Sequence, residues 1–395
     1  MKSLLAKLFS IFNKINRFWT ILGIVLIPII LFELSAQVFL LIYETNAEPV
    51  SRFERCYENV AWVKKLHQEE TAVRYQWHPY IYWRGQPVKG EFVNIDERGL
   101  RQTRNKSNTE IDAPRKIKIF MFGGSTMWGT GARDGYTIPS HLATLLTKTN
   151  GLAVEVTNFG QGGYVSTQEH IALLRELQSG NIPDLVIFYD GVNDVLSAIQ
   201  MHRAGQPNNE INRFREFNLL YEFRKGDLYR AAALRFINDL ATMRILRAIY
   251  RKLAPSRLPQ DVVSKLNSEL MNDVLQQYIF NLERINALGK EFGFQVLFYW
   301  QPIVFTKDTL SLYEKAEAQN TVENYHFTGF YLETYKTVRN SSQLANMANF
   351  HNISDIFDRH SETIFIDFCH VVEDGNKIIA ERMAEEVSSV LKIKY

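Results

Sequence analysis

From Lys116 onward the chain alternates short, β-prone apolar runs with stretches of helical periodicity, and few folds can use that pattern. The runs are KIKIFMF at 116–122, AVEVTNF at 153–159, DLVIFYD at 184–190, FQVLFYW at 294–300 and TIFID at 363–367. Helical patterns at 166–178, 261–290 and 375–392 lie between and after them. Short, mostly apolar runs such as KIKIFMF suit strands covered on both faces. Their alternation with helices predicts a parallel sheet between two helical layers, a three-layer α/β/α domain. The interval 200–260, rich in Arg, Phe and Leu, exceeds a normal crossover and is expected to add helices near the site. No internal repeat or low-complexity tract is present. At 395 residues, 46% hydrophobic and 22% charged, the chain can bury a large core without covalent staples.

The first 45 residues have a different character. Trp19 to Phe32 is almost wholly apolar, and beyond Glu33 the apolar run resumes to Tyr43, giving about 25 residues where ~20 span a bilayer. This predicts one transmembrane signal-anchor at 18–44 with a cytoplasmic tail at 1–17. Lys2, Lys7, Lys14 and Arg17 precede the segment, so the N-terminus is expected in the cytoplasm and the remainder on the extracytoplasmic side, in a periplasm or at the cell surface. Glu33 is the weak point of the span, since a carboxylate at mid-membrane costs about 3 kcal/mol on insertion scales, and Pro28 adds a kink. A cleaved signal peptide is the alternative, but apolar residues continue past the candidate site at Ala36.

Of 45 basic and 43 acidic residues, four basic and two acidic lie in the first 44, which leaves the rest formally neutral. Nothing suggests the basic surface of a nucleic-acid binder. Two cysteines, Cys56 and Cys369, make neither a disulfide framework nor a metal-type pair, though they could bridge in an oxidising compartment. Residues 45–112 are polar and dotted with aromatics. Within them YIYWRGQPVKGEFVNIDERGLR suggests one or two short strands, and RQTRNKSNTEID a linker, so a membrane-proximal extension is expected ahead of the domain at 113–395.

In an open parallel sheet, ligands bind beyond the carboxyl ends of the strands. GGS with Ser125 follows the first predicted strand, GQGGYVSTQEH the second, GVND the third, and DFCH ends the last. Each has a bland reading: a strand-to-helix turn capped by Ser125, a glycine turn, a capping box of Ser166 and Glu169, an N-cap at Asn193 or Asp194, a loop histidine. Together they supply a reaction centre. A serine hydroxyl must lose its proton to a base as it attacks, and neutral imidazole suits that task. Among nine histidines only His370 directly follows a predicted sheet strand, and Asp367, three residues earlier, can orient it. The oxyanion then needs donors, for which the candidates are the N–H groups of Ser125 and Gly163 and the side-chain amide of Asn193.

The set resembles the SGNH hydrolases, the GDSL-like family. Block one corresponds to GGSTMWG with Ser125, block two to NFGQGGYVSTQ with Gly163, block three to GVND with Asn193, and block five to DFCHVVEDGNKIIAE with Asp367 and His370. The similarity runs from about residue 116 to 390. It implies a flavodoxin-like α/β/α fold and a serine-dependent esterase or acyltransferase without metal or organic cofactor. GGST stands where the family name spells GDSL, so the usual block-one acid is absent. The block pattern also selects Gly163 over Gly162, since Gly163 lies five residues after Asn158.

Other residues carry weaker signals. Cys369 reads as a packed thiol or a redox-sensitive neighbour of His370, and Asp190 with Asp194 as a poor cation pair. Trp128, Tyr164, Tyr299 and Trp300 could line a cleft or fill the core. Segments 163–168, 191–195 and 300–309, taken as the rim, mix Tyr, Trp, Gln, Asn and Thr, which favours a short acyl group on a sugar-like body. The expected partners are therefore an acylated glycan or small molecule and, through the N-terminal helix, a membrane. The expected activity is removal of O-acetyl groups from an envelope glycan. Acetyl transfer by the same site, lipid ester or thioester cleavage, and a silent scaffold in envelope-polymer assembly remain as alternatives.

Overall fold

The computed structural model describes residues 2–46, 52–58, 60–105, 116–150, 153–221, 225–253, 267–324 and 327–391. The strands are β1 (Tyr75–His78), β2 (Tyr82–Gly85), β3 (Val88–Lys89), β4 (Asn94–Ile95), β5 (Ile117–Gly123), β6 (Val154–Asn158), β7 (Leu185–Asp190), β8 (Gln295–Trp300) and β9 (Phe350–Asn352). The helices are α1 (Lys2–Asn46), α2 (Arg52–Cys56), α3 (Ala61–Ala72), α4 (Ser125–Trp128), α5 (Ile138–Asn150), α6 (Ser166–Gln178), α7 (Val192–Met201), α8 (Glu210–Tyr221), α9 (Lys225–Asp239), α10 (Ala241–Leu253), α11 (Ser268–Phe292), α12 (Leu312–Asn324), α13 (Thr328–Arg339), α14 (Ser342–Ala345) and α15 (Glu373–Val390). They fall into two compact units, Val50–Phe214 with Arg257–Tyr395, and Met1–Pro49 with Arg215–Ser256.

The larger unit is built on a five-stranded, all-parallel sheet in the order β6-β5-β7-β8-β9. This is the doubly wound order, in which the chain steps from β5 to one side and later returns to the other. The carboxyl ends of β5 and β7 therefore flank the switch point where a crevice opens. Alternate residues of each strand enter opposite cores. Phe120, Phe122, Phe188 and Phe298 pack with Leu173, Val195 and Ile279 from α6, α7 and α11. On the other face Met121, Ile187, Leu297 and Tyr299 pack with Leu142 and Leu146 of α5 and Ile379 and Met383 of α15. The rings of Phe122, Phe188 and Phe298 stack from strand to strand at 5.1 and 5.5 Å.

One expected strand is absent. TIFID at 363–367 does not join the sheet, because the N–H groups of Ile364 and Phe365 donate to the Glu314 carboxylate at 2.9 and 3.0 Å. Those of Ile366 and Val372 close a turn on His370 O and Ile364 O. The place beside β8 belongs to β9, whose FHN sequence carries no strand signal. The extension contributes two antiparallel pairs, β1 with β2 and β3 with β4, and α2 and α3 within the same unit. Residues 106–112 of the expected linker lie outside the described residues.

In the smaller unit, α1 runs unbroken through Pro28 and contains a 32-residue stretch, Phe12–Tyr43, long and apolar enough to cross a membrane. It packs against α10, which packs against α9. Glu33, the one acid inside that stretch, accepts the N–H groups of Ala241 and Thr242 and the Thr242 hydroxyl.

Candidate active site

Beyond β5 the chain turns through Gly123 and Gly124 and presents Ser125 at the start of α4. A Cβ on Gly124 would collide with the side-chain amide nitrogen of Asn193 and sit 3.6 Å from Tyr164 O. Only glycine allows the loops after β5, β6 and β7 to meet this closely.

Ser125 Oγ lies 2.7 Å from His370 Nε2, and His370 Nδ1 lies 2.8 Å from Asp367 Oδ2. The other carboxylate oxygen, Oδ1, accepts the N–H groups of Cys369 and His370, both at 2.9 Å. The tight 364–372 turn thus holds carboxylate and imidazole together. With an anion at Nδ1, that nitrogen carries the proton, and Nε2 is left to accept from the serine hydroxyl. Burial alone would raise Asp367, but the His370 charge and the hydrogen bonds to it prevail and hold it well below the usual carboxylate range. Burial works against the imidazolium, yet Asp367 raises His370 well above the ordinary histidine value. A hydroxyl in line with a base and an orienting carboxylate is the arrangement that activates a serine for attack on a carbonyl.

Gly163 has φ +78° in the turn after β6. That turn is fixed by two residues the motifs do not reveal: Trp83 Nε1 donates to Gly162 O at 2.9 Å, and Asn208 Nδ2 donates to Gly163 O. Asn158 braces the turn from behind, its amide nitrogen donating to Met127 O at 3.1 Å and its oxygen accepting from Gly160 N at 2.9 Å. Thr126 Oγ1 donates to Gln301 Oε1 at 2.8 Å. Arg101, buried against Trp128, reaches Asp134, Gly129 O and Ala132 O and ties down the segment after α4. Glu70 of α3 accepts Gly131 N–H at 2.8 Å and is pushed up to about 7 by burial, against the pull of Arg101. Trp83, Asn208, Arg101 and Glu70 come from distant segments with no local signature, which is why the motifs pass over them.

Several sequence expectations resolve differently. Trp128, Tyr164, Tyr299 and Trp300 are all buried in the core rather than lining a cleft. Most of the residues expected to form the rim, including Val165, Ser166, Gln168, Gln301, Ile303 and Val304, also face inward, because those after β8 run on from a buried strand and those at 165–168 open the helix α6 that packs on the sheet. Ser166 and Glu169 form no capping box. Ser166 instead donates its N–H and hydroxyl to Asp194 Oδ1, which makes Asp194 a structural acceptor. Cys56 and Cys369 are buried free thiols and do not bridge. Asp367, Cys369 and His370 bring three potential ligand atoms within 4.8 Å of one another. The Cys369 thiol, raised to about 11 by burial, stays protonated, and a cation there would compete with the Asp367–His370 bond.

A serine hydroxyl, an imidazole and a carboxylate thus lie in one hydrogen-bonded line near the carboxyl end of the parallel sheet. The profile of the GDSL-like Lipase/Acylhydrolase family matches residues 119–383, and the chain belongs to that family of ester-bond hydrolases. No curated protein matches it in sequence. Among solved structures it is similar to the acetyl xylan esterase AlAXEase, at 14% identity and TM-score 0.34 over 69% of this chain and 100% of that one. It is also similar to a catalytic mutant of the acetylxylan esterase Axe2 from Geobacillus stearothermophilus, at 13% identity and TM-score 0.38 over 69% and 94%. A third is a putative lipolytic protein of the G-D-S-L family from Desulfitobacterium hafniense DCB-2, at 11% identity and TM-score 0.36 over 68% and 99%.

Proposed function

We propose that the chain is a membrane-anchored, extracytoplasmic esterase that removes O-acetyl groups from an envelope glycan through an acyl-enzyme on Ser125. The observation that carries the reading is the hydrogen-bonded line from Ser125 through His370 to Asp367, at 2.7 and 2.8 Å. His370 Nε2 takes the hydroxyl proton as Oγ attacks the acetyl carbonyl, and Asp367 stabilises the imidazolium that forms. The N–H groups of Ser125 and Gly163 and the Asn193 amide receive the oxyanion. The imidazolium then protonates the departing sugar hydroxyl. Water, activated by the same imidazole, releases acetate. A bound sugar hydroxyl in place of that water would turn the same site into a transferase.

The β1–β2 hairpin favours a glycan over a lipid. Tyr75 and Trp77 are exposed, and Trp77 stacks on Tyr82 at 5.2 Å. Trp83 anchors the Gly162–Gly163 turn, and the Arg213 guanidinium lies 4.5 Å over its ring. Aromatic faces beside polar groups suit a sugar ring, whereas a long acyl chain needs an extended apolar groove. The test is kcat/KM on acetyl, butyryl and octanoyl model esters, with Ser125→Ala as control. The expected order is acetyl over octanoyl, with no turnover in the variant. A steady rise with chain length would overturn the glycan assignment, and full activity in Ser125→Ala the nucleophile.

A further inference from the structure

We infer that the helical insert 215–256 is a membrane-surface element, docked onto the anchor helix at Glu33 and lying in the headgroup boundary of a leaflet that contains acidic phospholipid. The inference rests on the reading of α1 as a membrane anchor and goes beyond it.

The first observation is the junction. Glu33 sits in the apolar stretch of α1, where an unpartnered carboxylate is costly. It meets the opening residues of α10, accepting the N–H groups of Ala241 and Thr242 and the Thr242 hydroxyl. These N–H groups are donors that a helix start leaves unsatisfied, and the positive end of the helix dipole favours an anion there. Carboxylate and helix end thus satisfy each other, and the insert is held at one level of the span.

The second observation is the surface of the insert. Residues 241–253, ATMRILRAIYRKL, hold four basic residues and no acidic one. At 3.6 residues per turn, Leu246, Ile249 and Tyr250 share an arc of about 100°, with Arg244 and Arg247 on the far side. The three apolar residues are 57%, 48% and 70% exposed. On α9, Tyr229, Phe236 and Ile237 recur at i, i+7 and i+8 on one face, and Phe236 is 71% exposed. An amphipathic helix with a basic face and bare aliphatic and aromatic residues opposite is the form that lies in a bilayer interface, with its cations among acidic headgroups.

The test uses the full chain in lipid nanodiscs with and without phosphatidylglycerol. Single cysteines placed by Ile27→Cys, Leu246→Cys, Ile249→Cys and Arg247→Cys carry an environment-sensitive fluorophore, and the wild type, whose two cysteines are buried, serves as blank. Acyl-chain nitroxide lipids should quench positions 27, 246 and 249, while position 247 should answer to an aqueous quencher. Quenching at 246 should be greater with phosphatidylglycerol and should fall at least about twofold in Glu33→Ala. Glu33→Gln, which keeps an acceptor, should retain it, and this guards against simple misfolding of the alanine variant. Lipid quenching at 27 with aqueous exposure at 246 and 249 would overturn the inference and leave the anchor standing. Aqueous exposure at 27 would overturn the anchor and the inference with it. Protection of 246 and 249 from both quenchers would place protein, such as a second copy of this chain, on that face and also overturn it.

Discussion

Two groups of polar residues lie near the carboxyl ends of the central strands, and they differ in how their charges are met. Asp367 and His370 keep 21% and 17% of their side chains exposed, and the Asp367 carboxylate faces an imidazole and two backbone N–H groups. Glu169, Asp190 and Asp194 are buried near the start of α7, and they face one another. Burial comes first in raising all three, and neighbouring acids add to it for Glu169 and Asp190: Glu169 is well above its normal value, Asp190 up to about 8 and Asp194 up to about 6. The same residue type thus serves two ends. Supplied with donors, Asp367 stays charged beside the imidazole, whereas Asp190, buried against other acids and raised to about 8, holds a proton at neutral pH; Asp194, which accepts from Ser166, lies between the two.

The sharpest test of the contrast is Asp367→Asn. It should leave the fold intact and lower kcat by up to ~10⁴-fold, because the amide stabilises neither the right tautomer nor the imidazolium. The pH profile should also move. Asp367 raises His370, and the base acts only when neutral, so wild-type kcat/KM should climb through a value above the ordinary histidine range. In the variant that limb should shift to lower pH. An unshifted limb would break the pairing. Next in size is Asn193→Ala, expected to cost about 10²–10³-fold in kcat with KM little changed, as for a donor that bonds mainly the transition state. A pure KM effect would remove the oxyanion role.

The smallest effect belongs to the buried acids and appears in stability. A raised folded pKa contributes stability below the unfolded value, and that contribution is lost as pH rises through the folded one. For Asp194 and Asp190 the loss falls between about pH 4 and 8. The melting temperature of the wild type should therefore decline across that window, and Asp190→Asn should flatten the decline, at about 1–2 °C per kcal/mol for a unit of this size. Asp367 has the opposite sign: its contribution persists above the unfolded carboxylate value and is lost only in acid. Identical pH slopes in wild type and Asp190→Asn would show that the two groups do not differ in this way.

The parts visible in the sequence are those whose signal is local. Ser125 follows two glycines at the end of an apolar strand; Asp367 and His370 stand out as DFCH after an expected strand and in the family's block pattern, although the structure forms a tight turn there and not a sheet strand. TIFID misleads because its short β-prone apolar run suits a strand, while the carboxylate that takes its N–H groups comes from Glu314, fifty residues earlier. Three-residue β9 is too short and polar to register. Trp83 and Asn208 escape notice because each acts on Gly162 or Gly163 from a distant part of the chain, and the relation exists only after folding. Trp300 and Tyr299 look like cleft aromatics by position, yet they end a strand covered on both faces and belong to the core.

The central claim is that Ser125 carries the acyl group, and covalent capture tests it most directly. The folded full chain treated with a fluorophosphonate, digested and examined by mass spectrometry should carry one adduct, on the peptide containing Ser125. Its rate of formation should fall sharply in His370→Ala. An unlabelled Ser125 in protein that still turns over acetyl esters, or an adduct confined to another residue, would contradict the account.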